Sequence, residues 1–128
     1  MIINLTQHAV TPEQLAAGVI DMEKEIDRAF LSKLLTFEEL PDQAEMRLRA
    51  RAITVLAVVS APACDTAMIG GAPWLMAPLE RALRQASITP VYAFSVREST
   101  EQVQPDGSAR KVARFRHAGF VPAQETEK

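Results

Sequence analysis

The sequence predicts an α/β domain, with helices flanking a mainly parallel sheet that finishes in an antiparallel β-ribbon. Three observations predict it. Ile2, Ile3 and Leu5, and then Ala67 to Ile69, form short apolar runs of the kind expected of buried strands in a parallel sheet. Amphipathic stretches with recognisable start signals lie between and after them. From Pro90 the apolar period changes to two, in runs on either side of Pro105-Asp-Gly-Ser108, whose Asp-Gly centre is the strongest short hairpin signal in the chain.

Each element follows from local chemistry. The first run ends in the polar cluster Thr6-Gln7-His8, which places side chains on a loop beyond the strand. Thr11-Pro-Glu-Gln14 starts a helix, with Thr11 as N-cap, Pro12 at the first helical position, Gln14 closing a capping box and Gly18 as a stop. A second helix is expected over Met22 to Leu34, where Met22, Ile26, Phe30 and Leu34 recur at intervals of four and should face the sheet. The segment from Asp42 to Ser60 reads as one long helix, because Met46, Ala50, Ile53, Ala57 and Ser60 keep spacings of three and four. Its competitor is a strand at Ile53 to Val59, a run with β-branched composition. A turn at Pro62 to Asp65 leads into the apolar strand, and a helix over Trp74 to Ala86 ends at Ser87. In the ribbon, Val91, Ala93, Ser95 and Arg97 share one face of the strand, and Tyr92, Phe94, Val96 and Glu98 the other. Residues 1–121 form one domain in this reading, and residues 122–128 a disordered tail.

Composition narrows the function classes. At 128 residues the chain can bury a core without staples, and a net charge of -2 argues against a general duplex-binding surface. Cys64 is alone, so no intrachain disulfide exists, and no cluster with metal-ligand spacing is present. The longest apolar run, Ala52 to Ala63, is too short to span a bilayer, so a cytoplasmic, membrane-free protein without metal or cofactor is expected.

Three places carry candidate chemistry. Thr66-Ala-Met-Ile-Gly-Gly-Ala-Pro73 joins a buried strand to a helix start through two glycines, a geometry that offers backbone N–H groups and positive partial charge to an anion. The same residues also suit a bare strand-to-helix turn. In the ribbon, a two-residue tip at Asp106-Gly107 sets Arg97 opposite Arg116, on one face with Ser95, and turns His117 to the other face. Facing like charges cost up to about 1 kcal/mol, which an anion between them would reverse. A solvated face with salt bridges to Glu98 and Glu101 is the alternative. Finally, Asn4, Thr6, Gln7 and His8 sit where open α/β sheets bind ligands, although an Asn or Thr there also caps helices and a lone His is often structural. Trp74, Met76 and Leu79 read as core, and Cys64 as inert.

Taken together, Ile2-Ile-Asn-Leu-Thr-Gln-His8, Met68-Ile-Gly-Gly-Ala-Pro73, Tyr92-Ala-Phe-Ser-Val-Arg-Glu-Ser99 and Arg114-Phe-Arg-His-Ala-Gly-Phe120 resemble the CRISPR-associated ring nucleases. The resemblance implies a Rossmann-like (CARF-like) three-layer domain that forms homodimers and binds cyclic oligoadenylate. It implies metal-free ring opening by a ribose 2'-OH, which switches off antiviral type III CRISPR signalling, or sequestration of the ring without cleavage. By position, Asn4, Thr6, Gln7, Gly70, Gly71, Ala72 and Ser95 would bind ligand, with Arg97 or Arg116 stabilising charge. His8, then His117, would transfer protons.

Overall fold

The computed structural model describes residues 1–123 of the chain. Strand β1 (Ile2–Leu5) runs parallel to both of its neighbours, β2 (Val19–Ile20) and β3 (Thr66–Ile69). Next to β3 lies the start of β4 (Thr89–Val103), again parallel, and β5 (Ala109–Pro122) closes the sheet antiparallel to β4. The order β2-β1-β3-β4-β5 makes one mixed five-stranded sheet, mostly parallel, within an α/β fold. Strand β2 escapes sequence reading because two residues are too few to show a period.

Helix α1 (Pro12–Ala16) starts as its sequence dictates: the Thr11 side chain accepts from the Gln14 N–H at 3.1 Å, and the Gln14 side chain accepts from the Thr11 N–H at 3.1 Å. Gly18 follows with a φ of 95°, a conformation that glycine adopts without strain. The segment from Gln43 to Ser60 is indeed one helix, α3, capped by the Asp42 carboxylate on the Glu45 N–H. Ala50, Ile53 and Ala57 of the expected face are buried, and Thr54 tolerates the interior by donating its hydroxyl to the Ala50 carbonyl at 2.9 Å.

Helix α2 (Glu25–Leu35) corrects the expected face. It starts three residues later than the Met22 expected, and it buries Leu31 and Leu35, while Ile26 is 75% and Phe30 50% exposed. Met22 is buried from the preceding loop, so the interval-of-four stripe begun there was phased on a residue outside the helix. Helix α4 (Pro73–Gln85) buries Leu75, Met76, Leu79 and Leu83, but Trp74 stays half exposed, its ring edge-on to Phe37 at 5.6 Å.

Helices α2, α3 and α4 contribute to a main core with Ile3, Leu5, Ala67 and Ile69 of the sheet. The opposite side is thinner: Val19, Met68 and Val91 are covered by Ile2, Val10 and Phe120, and α1 buries no residue. Pro122 and Ala123, expected in the tail, belong to the sheet edge, where Pro122 pairs with Val91 and the Ala123 N–H donates to the Pro90 carbonyl; Gln124 to Lys128 lie outside the described residues.

The ribbon register differs by one residue from the sequence expectation. The Gly107 N–H donates to the Gln104 carbonyl at 2.9 Å and the Gln104 N–H to the Ser108 carbonyl at 2.7 Å, which makes a three-residue loop. Pro105 presets the first turn position and only Gly107, at φ 86°, takes the left-handed region, whereas a two-residue type I′ tip requires it at both central residues. Arg97 therefore pairs with Phe115, and Arg116 with Val96.

Candidate functional site

Because a one-residue slip exchanges the faces of a strand, the register just described separates the two arginines expected to act together. Arg116 lies on the face of Val96 and Glu98, and its Nε donates to Glu98 Oε1 at 2.6 Å, a bond that raises the guanidinium above its ordinary value. Arg97 lies on the other face with Ser95. His117, expected opposite to them, pairs with Ser95 and so shares their face. Its ring packs edge-on against Phe120 at 4.9 Å, its backbone N–H donates to Glu13 Oε2 at 3.0 Å, and its ring Nδ1 is buried without a partner among the described residues.

A different group of predicted residues does converge. Thr6, Gln7 and His8 from the loop after β1, and Gly70 and Gly71 after β3, line a cleft of about 470 Å³, closed on its far side by Tyr92 and Ala93 of β4. This is the carboxyl edge of the parallel strands. The chain leaves β1 for β2 on one side and returns to β3 on the other, and open α/β sheets bind ligands where strand order reverses in this way. Sequence reading missed Thr11, Gln14, Met68 and Ile69 as lining residues. The alternation of β4 was the available signal for Tyr92 and Ala93, which sit just past its last pairing with β3 at Val91.

Asn4 has another task than the one expected. It is 3% exposed and uses its whole amide: Nδ2 donates to the His8 carbonyl at 2.7 Å and to Asp21 Oδ1 at 2.8 Å, while Oδ1 accepts from the Thr6 N–H at 2.9 Å and the Thr6 hydroxyl at 2.7 Å. Its side chain thus ties the loop down from below and has no capacity left for a ligand. Asp21, at the end of β2, completes the tie by accepting from the Val10 N–H at 3.2 Å. Gln7 is turned partly away, its Nε2 donating to Thr36 Oγ1 at 2.7 Å. His8 is exposed at the rim.

Gly70 and Gly71 bring bare backbone to the cleft lining, whereas Ala72 and Ser95, also expected there, are not part of it. Gly71 has a φ of 142°, and the N–H groups of Gly71 and Ala72 make no hydrogen bond among the described residues. Ala72 is the N-cap of α4 and Pro73 follows it, so the helix opens without a capping side chain. Across the cleft the Tyr92 hydroxyl donates to Glu80 Oε2 at 2.8 Å; burial, then Glu80, pushes its pKa up, and the phenol stays protonated. The cleft lining includes no Lys, Arg, Asp or Glu. Cys64 is buried and its thiol is raised, first by that burial, which keeps it unreactive.

A model of the uncharacterized protein MJ1673 family matches residues 1–121, from the first strand through the ribbon. The chain belongs to the MJ1673 family. The match spans every residue that lines the cleft and all of the ribbon but Pro122. No curated protein and no solved structure matches the chain. Among the described residues no group of three or more His, Cys, Asp or Glu could hold a metal ion, and no helix is long and apolar enough to cross a membrane.

Proposed function

We propose that the cleft holds a phosphate-bearing ring, a cyclic oligoadenylate, and that the protein is a ring nuclease of Rossmann-like, CARF-like type that opens it and so ends a type III CRISPR antiviral signal. One observation carries this reading: the loop bearing Thr6, Gln7 and His8 and the glycine turn at Gly70–Gly71 line one cleft at the carboxyl edge of the sheet, beside an uncapped helix start. Gly71 and Ala72 would offer N–H groups to phosphate oxygens, supported by the positive end of α4. Attack of a ribose 2'-OH on the adjacent phosphorus breaks the P–O5' bond, forms a 2',3'-cyclic phosphate and leaves a 5'-OH. The 2'-OH proton goes to a base and the leaving oxygen gains one from an acid. His8, on the rim, is the group in the lining that can do such work. Neither Arg97, Arg116 nor His117 lines the cleft, and no step of this chemistry within one chain is assigned to them.

Incubating the protein with cyclic di-, tri-, tetra- and hexanucleotides in EDTA, then separating products by chromatography, tests the reading. Linear products from a cyclic oligoadenylate are expected, and His8→Ala should slow their formation at least about tenfold. Unchanged rings after long incubation with excess protein reject cleavage. A second reading, sequestration without cleavage, is favoured by the absence of any charged side chain from the lining. Tight binding without product selects it.

A further inference from the structure

We infer that the open edge of β5 between Ala109 and Phe115 is a docking strand for an acidic, extended segment of another protein, which joins the sheet as an added strand. Strand β5 ends the sheet order, so its outer side has no neighbouring strand among the described residues. Strand β3 supports β4 only as far as Val91, and the pairs from Ser95–His117 to Val103–Ala109 stand as a two-stranded hairpin. Such a hairpin is marginal in water by itself and is stabilised by a further strand.

Hydrogen bonds at both ends of the ribbon show which backbone groups face outward. At the tip the Gln104 N–H donates to the Ser108 carbonyl, and at the base the His117 N–H donates to Glu13 Oε2 of α1 instead of to β4. Bonded and non-bonded pairs alternate along an antiparallel ladder. Followed from either end, the N–H groups of Ala109, Lys111, Ala113 and Phe115 point away from β4, in the same row as that of His117. The innermost donor of this row already takes a carboxylate delivered from outside the strand, that of Glu13. The donors beyond it span about 20 Å at ~3.3 Å per residue, room for an added strand of about six residues.

Charge selects the partner. From Ala109 to Arg116 the strand carries Arg110, Lys111, Arg114 and Arg116 and no carboxylate. Arg116 is neutralised by Glu98, while Arg110, Lys111 and Arg114 make no ion pair or hydrogen bond among the described residues. Two copies of β5 laid edge to edge would set these cations against one another, which repels a like strand and favours an acidic one. The other open edge of the hairpin, β4, mixes Arg97 with Glu98 and Glu101 and carries no such preference. Alternation then sets the pattern of the guest. Arg110, Val112 and Arg114 lie on one face of β5, and Lys111, Ala113 and exposed Phe115 on the other. A strand with Asp or Glu at every second position sets its carboxylates beside Arg110 and Arg114 and lays its apolar side chains against Ala113 and Phe115. Main-chain pairing supplies the affinity of such an addition, and the alternate side chains supply its selectivity.

Fluorescence anisotropy with a labelled acetyl-Glu-Val-Glu-Val-Glu-Val-amide peptide tests the docking without any nucleotide. Saturable binding is expected, and the same residues reordered as Glu-Glu-Glu-Val-Val-Val should bind at least about tenfold more weakly. Arg110→Glu with Arg114→Glu, at exposed positions, should weaken the alternating peptide at least about tenfold. Ala113→Pro removes an outward donor and no ladder bond, so it should lower affinity by a similar factor with the circular dichroism of the protein unchanged. A control on the guest leaves the protein intact. Methylating the backbone nitrogens of the peptide at alternate residues should abolish binding in one phase and spare it in the other, because only every second N–H of an added strand faces its neighbour. Equal loss in both phases, equal affinity for the reordered peptide, or no binding at about 1 mM would each overturn the proposal. Tighter binding of a short RNA duplex than of the alternating peptide assigns the ribbon to nucleic acid, and self-association that the peptide does not displace assigns the edge to a second copy. Either result overturns the strand addition.

Discussion

Asn4 concentrates more of the site's geometry than any residue that touches the cleft. Its four hydrogen bonds fix the turn at Thr6, the carbonyl of His8 and, through Asp21, the entry to α1. Asn4→Ala removes both donors and the acceptor from a buried position, so denaturant unfolding should show a loss of about 2–4 kcal/mol. Asn4→Asp should be no milder, since it sets a second carboxylate against Asp21. At the tip of the ribbon, Ser108 donates to Asp106 Oδ1 through its hydroxyl at 2.6 Å and its N–H at 3.0 Å, and those bonds hold the carboxyl below its ordinary 3.8. A depressed carboxylate contributes its stabilisation above the unfolded pKa and loses it as pH falls through the folded one. An NMR titration of Asp106 should therefore show a midpoint below 3.8, and Ser108→Ala should move it back up.

Among the elements, α2 and the ribbon discriminate best between what sequence dictates and what packing decides. Leu31→Ala should cost about 2–5 kcal/mol in urea melts, and Ile26→Ser no more than about 0.5 kcal/mol, the reverse of what an Ile26 and Phe30 core stripe requires. The capping box of α1, the long α3 and the central β3 were legible because each is written in local chemistry: Thr11 with Gln14, Asp42 before a run with helical spacing, and the apolar run Ala67 to Ile69 before two glycines. The face of α2 was not, because Leu31 and Leu35 compete with Ile26 and Phe30 for the same pattern and only the sheet beneath settles the contest. The cleft was legible at Thr6, Gln7, His8, Gly70 and Gly71, which follow strands directly. The arginine pair was lost through one hydrogen bond at the tip: an Asp-Gly preceded by Pro105 takes the longer loop, and that single residue reassigns the partners of β5 from Ala109 to His117, until the irregularity at Ala118 restores the expected register.

For the molecule as a whole, the two sides of the sheet are unequal. One is sealed by three helices, and the other rests on Val10, Phe120 and a helix without a buried residue. Amide hydrogen exchange should accordingly be slowest in β1, β3, α3 and α4 and fastest in the part of the ribbon beyond Phe94, which no third strand supports. A uniform protection pattern would contradict that division. Within the ribbon, Ala118 has no partner on β4, for Phe94 pairs with Gly119 and Ser95 with His117. Such an extra residue bends and twists a strand locally. Deleting Ala118 should leave the tip, the cleft and the helical layer untouched while swinging the distal hairpin to a new heading. A chain built this way can re-aim its protruding hairpin by one codon, with its interior chemistry unaltered.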